Sequence, residues 1–235
     1  MKQHRRIPAL LLVLSLMCTL LLSGCQGAGE KPAQPDAVAQ VFYDLIIRQD
    51  ASSAKELFGY TSEEEAMADL IGDAGDFEKE MVSELSAQFE DMGLELTDEE
   101  ITNLYNAIIS MLDRLSFSAE IKEISEKDKT AVVIAHIGYY DSATMTTAME
   151  NALNSVMPED PSSITTEAQL NEILHNYLAE MCNVLATLQP ASGTKDFEVD
   201  FELTKMEING KEKAVWMPSD PEQFGMDLST NAMSM

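Results

Sequence analysis

The sequence predicts an α+β domain: a curved antiparallel sheet of two β-hairpins covered by amphipathic helices, with a helical insert between the hairpins. Three observations predict it. Phe117, Ala119 and Ile121, and again Phe197, Val199, Phe201 and Leu203, alternate with polar residues at period two. Each alternating run is followed by turn residues and a second β-rich stretch. Other segments repeat apolar residues at helical spacing, and several open on a capping-box pattern.

The chain begins with an export address. Lys2, Arg5 and Arg6 form a basic start, and no acidic residue precedes position 30. Ile7 to Leu22 is apolar apart from Pro8, Ser15 and Thr19, shorter than the roughly 20 apolar residues of a membrane span. Leu22-Ser23-Gly24-Cys25 then forms a lipobox. Small residues let an extended backbone enter a signal peptidase, and the Cys25 thiol accepts a diacylglycerol through a thioether. Residues 1–24 therefore read as a lipoprotein signal peptide, and 25–35 as a lipidated N-terminus with a flexible, proline-broken tether. Two acyl chains anchor stably where one holds only marginally.

Removing residues 1–24 leaves 211 residues with 12 basic against 41 acidic side chains, a net charge of −29. Such a surface repels nucleic acid and anionic head groups, so any hold on the membrane has to come from the lipid. Cys182 is the one thiol of the mature chain other than Cys25, which excludes an internal disulfide. Its helical neighbours Leu178 and Leu185 make a buried small hydrophobe the simpler reading, against a reactive thiol.

A single domain is expected over residues 36–217. Asp36 is a candidate N-cap for a helix carrying Val38, Val41, Phe42, Leu45 and Ile46. A short helix with Ala54, Leu57 and Phe58 follows Asp50, and a capping box Thr61-Ser-Glu-Glu64 opens another through Leu70. Phe77, Met81, Leu85 and Phe89, widened by Val82 and Met92, form the stripe of a helix that Gly93 stops. The box Thr97-Asp-Glu-Glu100 opens a helix with Ile101, Leu104, Tyr105, Ile108, Leu112 and Leu115 on one face, which would pair antiparallel with its predecessor.

The first hairpin turns at Glu126-Lys-Asp-Lys129 into Thr130–Tyr140. Helices follow over Ala143–Met157 and from about Glu167 to Leu188, the second opening on Thr166-Glu-Ala-Gln169. The second hairpin turns at Asn209-Gly210 and returns through Ala214–Met217. The two hairpins share a short pattern of Glu-Ile, Lys-x-Lys and Ala-Val, which ordinary hairpin chemistry explains more simply than duplication. After Pro218 the periodicity fades, and residues 218–235 read as a mobile tail or loosely packed flap.

The lipobox, then Val38-x-x-Val41-Phe42-x-x-Leu45-Ile46 ending in Gln49-Asp50, then Phe58 and a late hairpin closing on Val215-Trp216, resembles a bacterial lipoprotein family described only as a domain of unknown function. Its members look like relatives of the cystatin-like, nuclear-transport-factor-like α+β cone folds. The resemblance spans about Asp36 to Met217 and departs from the simplest cone fold in the insert between Ala143 and Leu188. It implies a fold and a surface location, and it brings no catalytic residue.

No catalytic constellation is apparent. His136 and His175 lie 39 residues apart with no Cys or His partner at ligand spacing, and there is no phosphate loop, nucleophile elbow or calcium loop. No cofactor or metal site is expected, although so acidic a surface could hold divalent cations diffusely. The carboxylates of Glu63–Glu65 and Asp98–Glu100 are accounted for at helix N-termini. The mature chain keeps 13 methionines, and Met81, Met111, Met149 and Met181 fall on apolar helix faces. They read as core filler, with a deformable binding surface as the alternative.

His136, Tyr139, Tyr140, Tyr177 and Trp216 are candidates for lining a pocket between helices and sheet; core packing with polar tips outward is the competing reading. The leading expectation is a non-catalytic module, lipid-anchored on the extracytoplasmic face of the cell membrane, that binds a protein or envelope component. A small-ligand binder with a Met- and aromatic-lined pocket is the alternative. A cone-fold enzyme using His136 or a buried carboxylate as base stands third.

Overall fold

The computed structural model describes residues 31–71, 77–91 and 96–233. The lipobox, Cys25, Met92 and Gly93 lie outside the described residues, as do the side chains of Phe77 and Met81. In chain order the elements are α1 (Pro35–Ile47), α2 (Ser52–Phe58), α3 (Glu63–Ile71), α4 (Phe77–Asp91), α5 (Asp98–Leu112), β1 (Phe117–Ser125) and β2 (Thr130–Gly138). They continue with α6 (Ser142–Val156), α7 (Glu167–Thr187), β3 (Thr194–Ile208), β4 (Lys211–Pro218) and α8 (Pro221–Ala232). One 3₁₀ turn, Pro161–Ser163, lies between α6 and α7.

The expected α+β architecture is present. The four strands form one antiparallel sheet in the order β1-β2-β3-β4, open at both edges, with α6 and α7 inserted between its two hairpins. In β1, β2 and the first half of β3 the odd-numbered residues share a face. Phe117, Ala119 and Ile121 stand opposite Ile137, Ala135 and Val133, and those oppose Lys195, Phe197 and Val199. A bulge at Lys122 ends the β1 alternation, because Ile121 pairs with Val133 and Glu123 already with Val132. Asn209 and Gly210 take φ of 53° and 70°, the left-handed pair that a two-residue hairpin turn demands.

Helices α1 and α8 lie on the odd face. Val38, Ala39, Phe42, Tyr43 and Leu45 are fully buried on α1, and Phe224, Leu228 and Ala232 on α8. The Tyr43 ring stacks on Phe117 with centroids 4.4 Å apart, and Phe224 sits 6.5 Å from Phe42 and 6.0 Å from Phe197. Burial pushes the Tyr43 hydroxyl up to about 12, and it donates to the Leu115 carbonyl at 2.9 Å. Near the tip of β3 and β4 burial shifts to the even face. There Ile208 is buried, Asn209 Nδ2 donates to the Gly59 carbonyl and Lys213 Nζ to that of Phe58. The twist accumulated by a 15-residue strand turns that face toward α2.

Three expectations are corrected. Residues 218–235 are not a loose tail: Asp220 caps α8 by accepting from the Gln223 N–H at 2.9 Å, Pro221 fills the first turn, and Phe224 and Leu228 enter the core. The first helix starts two residues early, with Gln34 at the cap and Pro35 inside, so Asp36 sits in the first turn rather than capping it. The box read at Thr61 is displaced by one: the Glu65 N–H donates to Ser62 Oγ at 3.1 Å, and the Glu65 carboxylate accepts from the Thr61 N–H at 3.1 Å. The boxes at Thr97 and Thr166 form as expected.

Candidate functional site

Helices α5 and α7 lie side by side and run in the same direction, tied at two points. Where the first turn of α5 meets the middle of α7, the His175 Nδ1 and Glu100 Oε1 are 2.6 Å apart. An ionised carboxylate can only accept, so this contact assigns the proton to Nδ1. The other Glu100 oxygen, Oε2, accepts from the Thr97 N–H at 2.9 Å and the Thr97 hydroxyl at 2.8 Å. One carboxylate thus completes the capping box of α5 and holds α7. Burial pushes the Glu100 carboxyl up, but the hydrogen bonds from Thr97 and His175 outweigh it and leave it below its ordinary value.

At the far ends Arg114, just past α5, donates to the Ala186 carbonyl at 2.9 Å and to the Leu185 carbonyl. Both carbonyls belong to the last turn of α7, where no intrahelical donor is available, so the guanidinium caps that helix. Between the clamps runs a groove of about 450 Å³. Its walls carry Asn103, Asn106 and Ser110 from α5 and Asn183 from α7, and its small residues are Ala107, Ala179, Cys182 and Ala186. Among the described residues, none hydrogen-bonds the carboxamides of Asn103, Asn106 or Asn183, and all three are exposed.

Burial pushes the Cys182 thiol up, and the Glu100 charge adds to this, so the reactive thiolate is disfavoured. His175 and Cys182 are seven residues apart on α7, about 10 Å along the axis at 1.5 Å per residue. That separation is beyond a nucleophile–base hydrogen bond. A second hollow of about 410 Å³ is lined by Ala143, Thr144, Thr147, Ala148 and Asn151, all from α6, so among the described residues it has no opposing wall.

The five residues expected to line a pocket do not converge. His136 is on the even face of the sheet, with Nδ1 2.7 Å from Asp196 Oδ1 and Nε2 3.9 Å from Glu120 Oε1. The His136 hydrogen bond holds the Asp196 carboxyl below its usual value. Tyr139 lies under Lys195, whose Nζ is 4.8 Å from the ring centroid. Tyr140 is fully buried and donates to the Met111 carbonyl at 2.7 Å. Tyr177 is half-buried on α7, and Trp216 is buried opposite Leu203 in the second hairpin. Met111 is buried and Met149 and Met181 pack against the core, as filler does.

Even positions of β1 to β3 form an open face carrying Glu120, Glu198, Asp200 and Glu202, with Lys122 Nζ 2.5 Å from Glu198. Among the described residues no group of three or more His, Cys, Asp or Glu is arranged to hold a metal ion. No helix among them is long and apolar enough to cross a membrane.

No family model matches the chain, and no curated protein does. Among solved structures the chain is similar to YcdA of Bacillus subtilis strain 168, a protein provisionally described as a lipoprotein. The two superpose with a TM-score of 0.54 at 17% identity, over 85% of this chain and 56% of that one. The chain therefore spans little more than half the length of the structure it matches. The likeness shows the fold alone. It agrees with an α+β domain built on an open four-stranded antiparallel sheet.

Proposed function

We propose that the chain is a lipoprotein held on the extracytoplasmic face of a membrane by lipid on Cys25, and that its folded part is a binding module rather than an enzyme. Leu22-Ser23-Gly24-Cys25, placed after a basic and then an apolar segment, carries the reading. The description of YcdA as a lipoprotein supports it, since the two chains share a fold. So does charge: a mature chain at −29 is repelled by anionic head groups, which leaves the anchoring to lipid. Membership of the cystatin-like, nuclear-transport-factor-like lipoprotein group belongs to the same proposal.

The binding reading rests on the α5–α7 groove, whose free carboxamides recognise rather than react and whose thiol is held protonated. A protein or envelope component is the partner class proposed. The small-ligand alternative draws on one observation, a volume above the ~300 Å³ at which ligand pockets begin. Its lining, however, is carboxamides and small residues rather than the methionines and aromatic rings expected.

Cys25→Ser tests the anchor. The variant is expected in the medium or as unprocessed precursor, whereas an unchanged membrane fraction would overturn the anchor. Pull-down from detergent-solubilised membranes with Cys25 intact tests the module, and reproducible failure to capture any partner would count against it.

A further inference from the structure

We propose a further activity, independent of the binding reading: the methionines outside the core are a stoichiometric sink for a neutral two-electron oxidant of the hypochlorous acid class. Each thioether becomes a sulfoxide while the fold stays intact.

The placement of the methionines leads there. Methionine is among the side chains most often fully enclosed in protein interiors. Here it is not. Of the ten methionines whose side chains are described, only Met111 is buried, at 3% exposure; eight are half-buried and Met226 is 50% exposed. The largest enclosed side chains are rings instead: Tyr43, Tyr140, Phe42, Phe201 and Phe224. Met67 lies on α3, Met145 and Met149 on α6, Met206 on β3, Met217 on β4 and Met226 on α8. Neither hollow described above is lined by a methionine, so neither is the deformable pocket such residues build. Residues spread over five elements suit chemistry that each thioether performs alone.

That chemistry is oxygen transfer. The sulfur gives up two electrons, the O–Cl bond of hypochlorous acid breaks, an S–O bond forms, and chloride and a proton leave. A thioether has no proton to lose, so no activating base is needed. The mature chain at −29 repels anionic oxidants and leaves a neutral one free to approach. Competing groups are withheld. Trp216 is 4% exposed, and burial keeps the Cys182 thiol protonated. Placement also protects the fold. A sulfoxide is polar, and at a half-buried position water solvates it, whereas at Met111 it would be left unsolvated. Sulfoxide reductases return the thioether, so the sink is renewable.

The test titrates hypochlorous acid into the purified full chain and maps the added oxygen at each methionine by peptide mass spectrometry, with circular dichroism alongside. Met226 is expected to convert first and Met111 last, about tenfold apart in rate, with the native spectrum retained while the others convert. In a second arm, monounsaturated phosphatidylcholine vesicles are mixed with the parent chain or with a variant carrying Met67→Leu, Met145→Leu, Met149→Leu, Met206→Leu, Met217→Leu and Met226→Leu, each a nearly volume-conserving change. The parent is expected to delay lipid chlorohydrin formation by about one equivalent of oxidant per substituted methionine. Equal delay by parent and variant would overturn the proposal. The mapping arm needs no variant, and there conversion of Met111 as early as Met226, or loss of the native spectrum before the half-buried positions convert, would overturn it as well.

Discussion

The sheet side and the α5–α7 side of this protein are closed in different ways. Where α1 and α8 meet the sheet, Val38, Phe42, Tyr43, Leu45, Phe224 and Leu228 are each at most 1% exposed, and ring packs on ring. Along α7, a helix of 21 residues, only Leu178 and Leu185 are buried, and it is tied at its middle by a histidine–carboxylate contact and at its C-terminus by an arginine cap. The first region is held by apolar burial, which is non-directional and insensitive to pH. The second is held by a few directional polar contacts, and regions so built open at lower free energy than the core. Binding surfaces are drawn from such regions, and here the groove lies in the second.

The largest effect should come from the core. Phe224→Ala removes a ring packed between Phe42 and Phe197 and is expected to cost about 3–5 kcal/mol in urea denaturation. A loss below about 1 kcal/mol would mean that α8 is the loose tail the sequence suggested, and the contrast between regions would collapse. Next comes the cap of α7. Arg114→Met keeps the stem and removes the donors to Leu185 and Ala186, with an expected local cost of about 1.5–3 kcal/mol. The lower end is favoured because the variant also removes Arg114 Nε, which is buried without a partner. Hydrogen exchange should quicken in the last turn of α7 and stay unchanged in β2 and β3. Equal acceleration in both would erase the distinction.

The smallest effect is a pH dependence. Glu100 has a folded pKa below its ordinary value, so its contribution is fully present above the unfolded carboxylate range of about 4.3. That contribution is lost as pH falls through the lower folded value. Stability measured at pH 7 and at about pH 3.5 should therefore differ less in Glu100→Gln than in the parent. Identical differences would show that the clamp contributes nothing to the attachment of α7.

What was legible in the sequence was local. The capping boxes at Thr97 and Thr166, the period-two runs from Phe117 and Phe197, and the Asn209-Gly210 turn all act over a few residues, and the structure keeps them. Helix α8 was missed although Asp220-Pro221 is a start signal, because only Phe224, Leu228 and Ala232 mark its buried stripe. The groove was missed for a different reason. Glu100 and His175 are 75 residues apart, and nothing local says that α5 and α7 run side by side in the same direction. Aromatic and sulfur side chains drew attention as pocket candidates, yet their apolar bodies placed Tyr140 and Trp216 in the core. The groove is instead lined largely by asparagine and alanine, whose signal was the pair Asn103 and Asn106 on one turn of α5.

The lipid on Cys25 is tested most directly by the intact mass of the protein purified from native membranes with detergent. The expected species begins at Cys25 and exceeds the mass of residues 25–235 by a diacylglyceryl group or more. An unmodified chain beginning at Met1 would contradict the anchor, and with it the extracytoplasmic setting in which the groove is proposed to act.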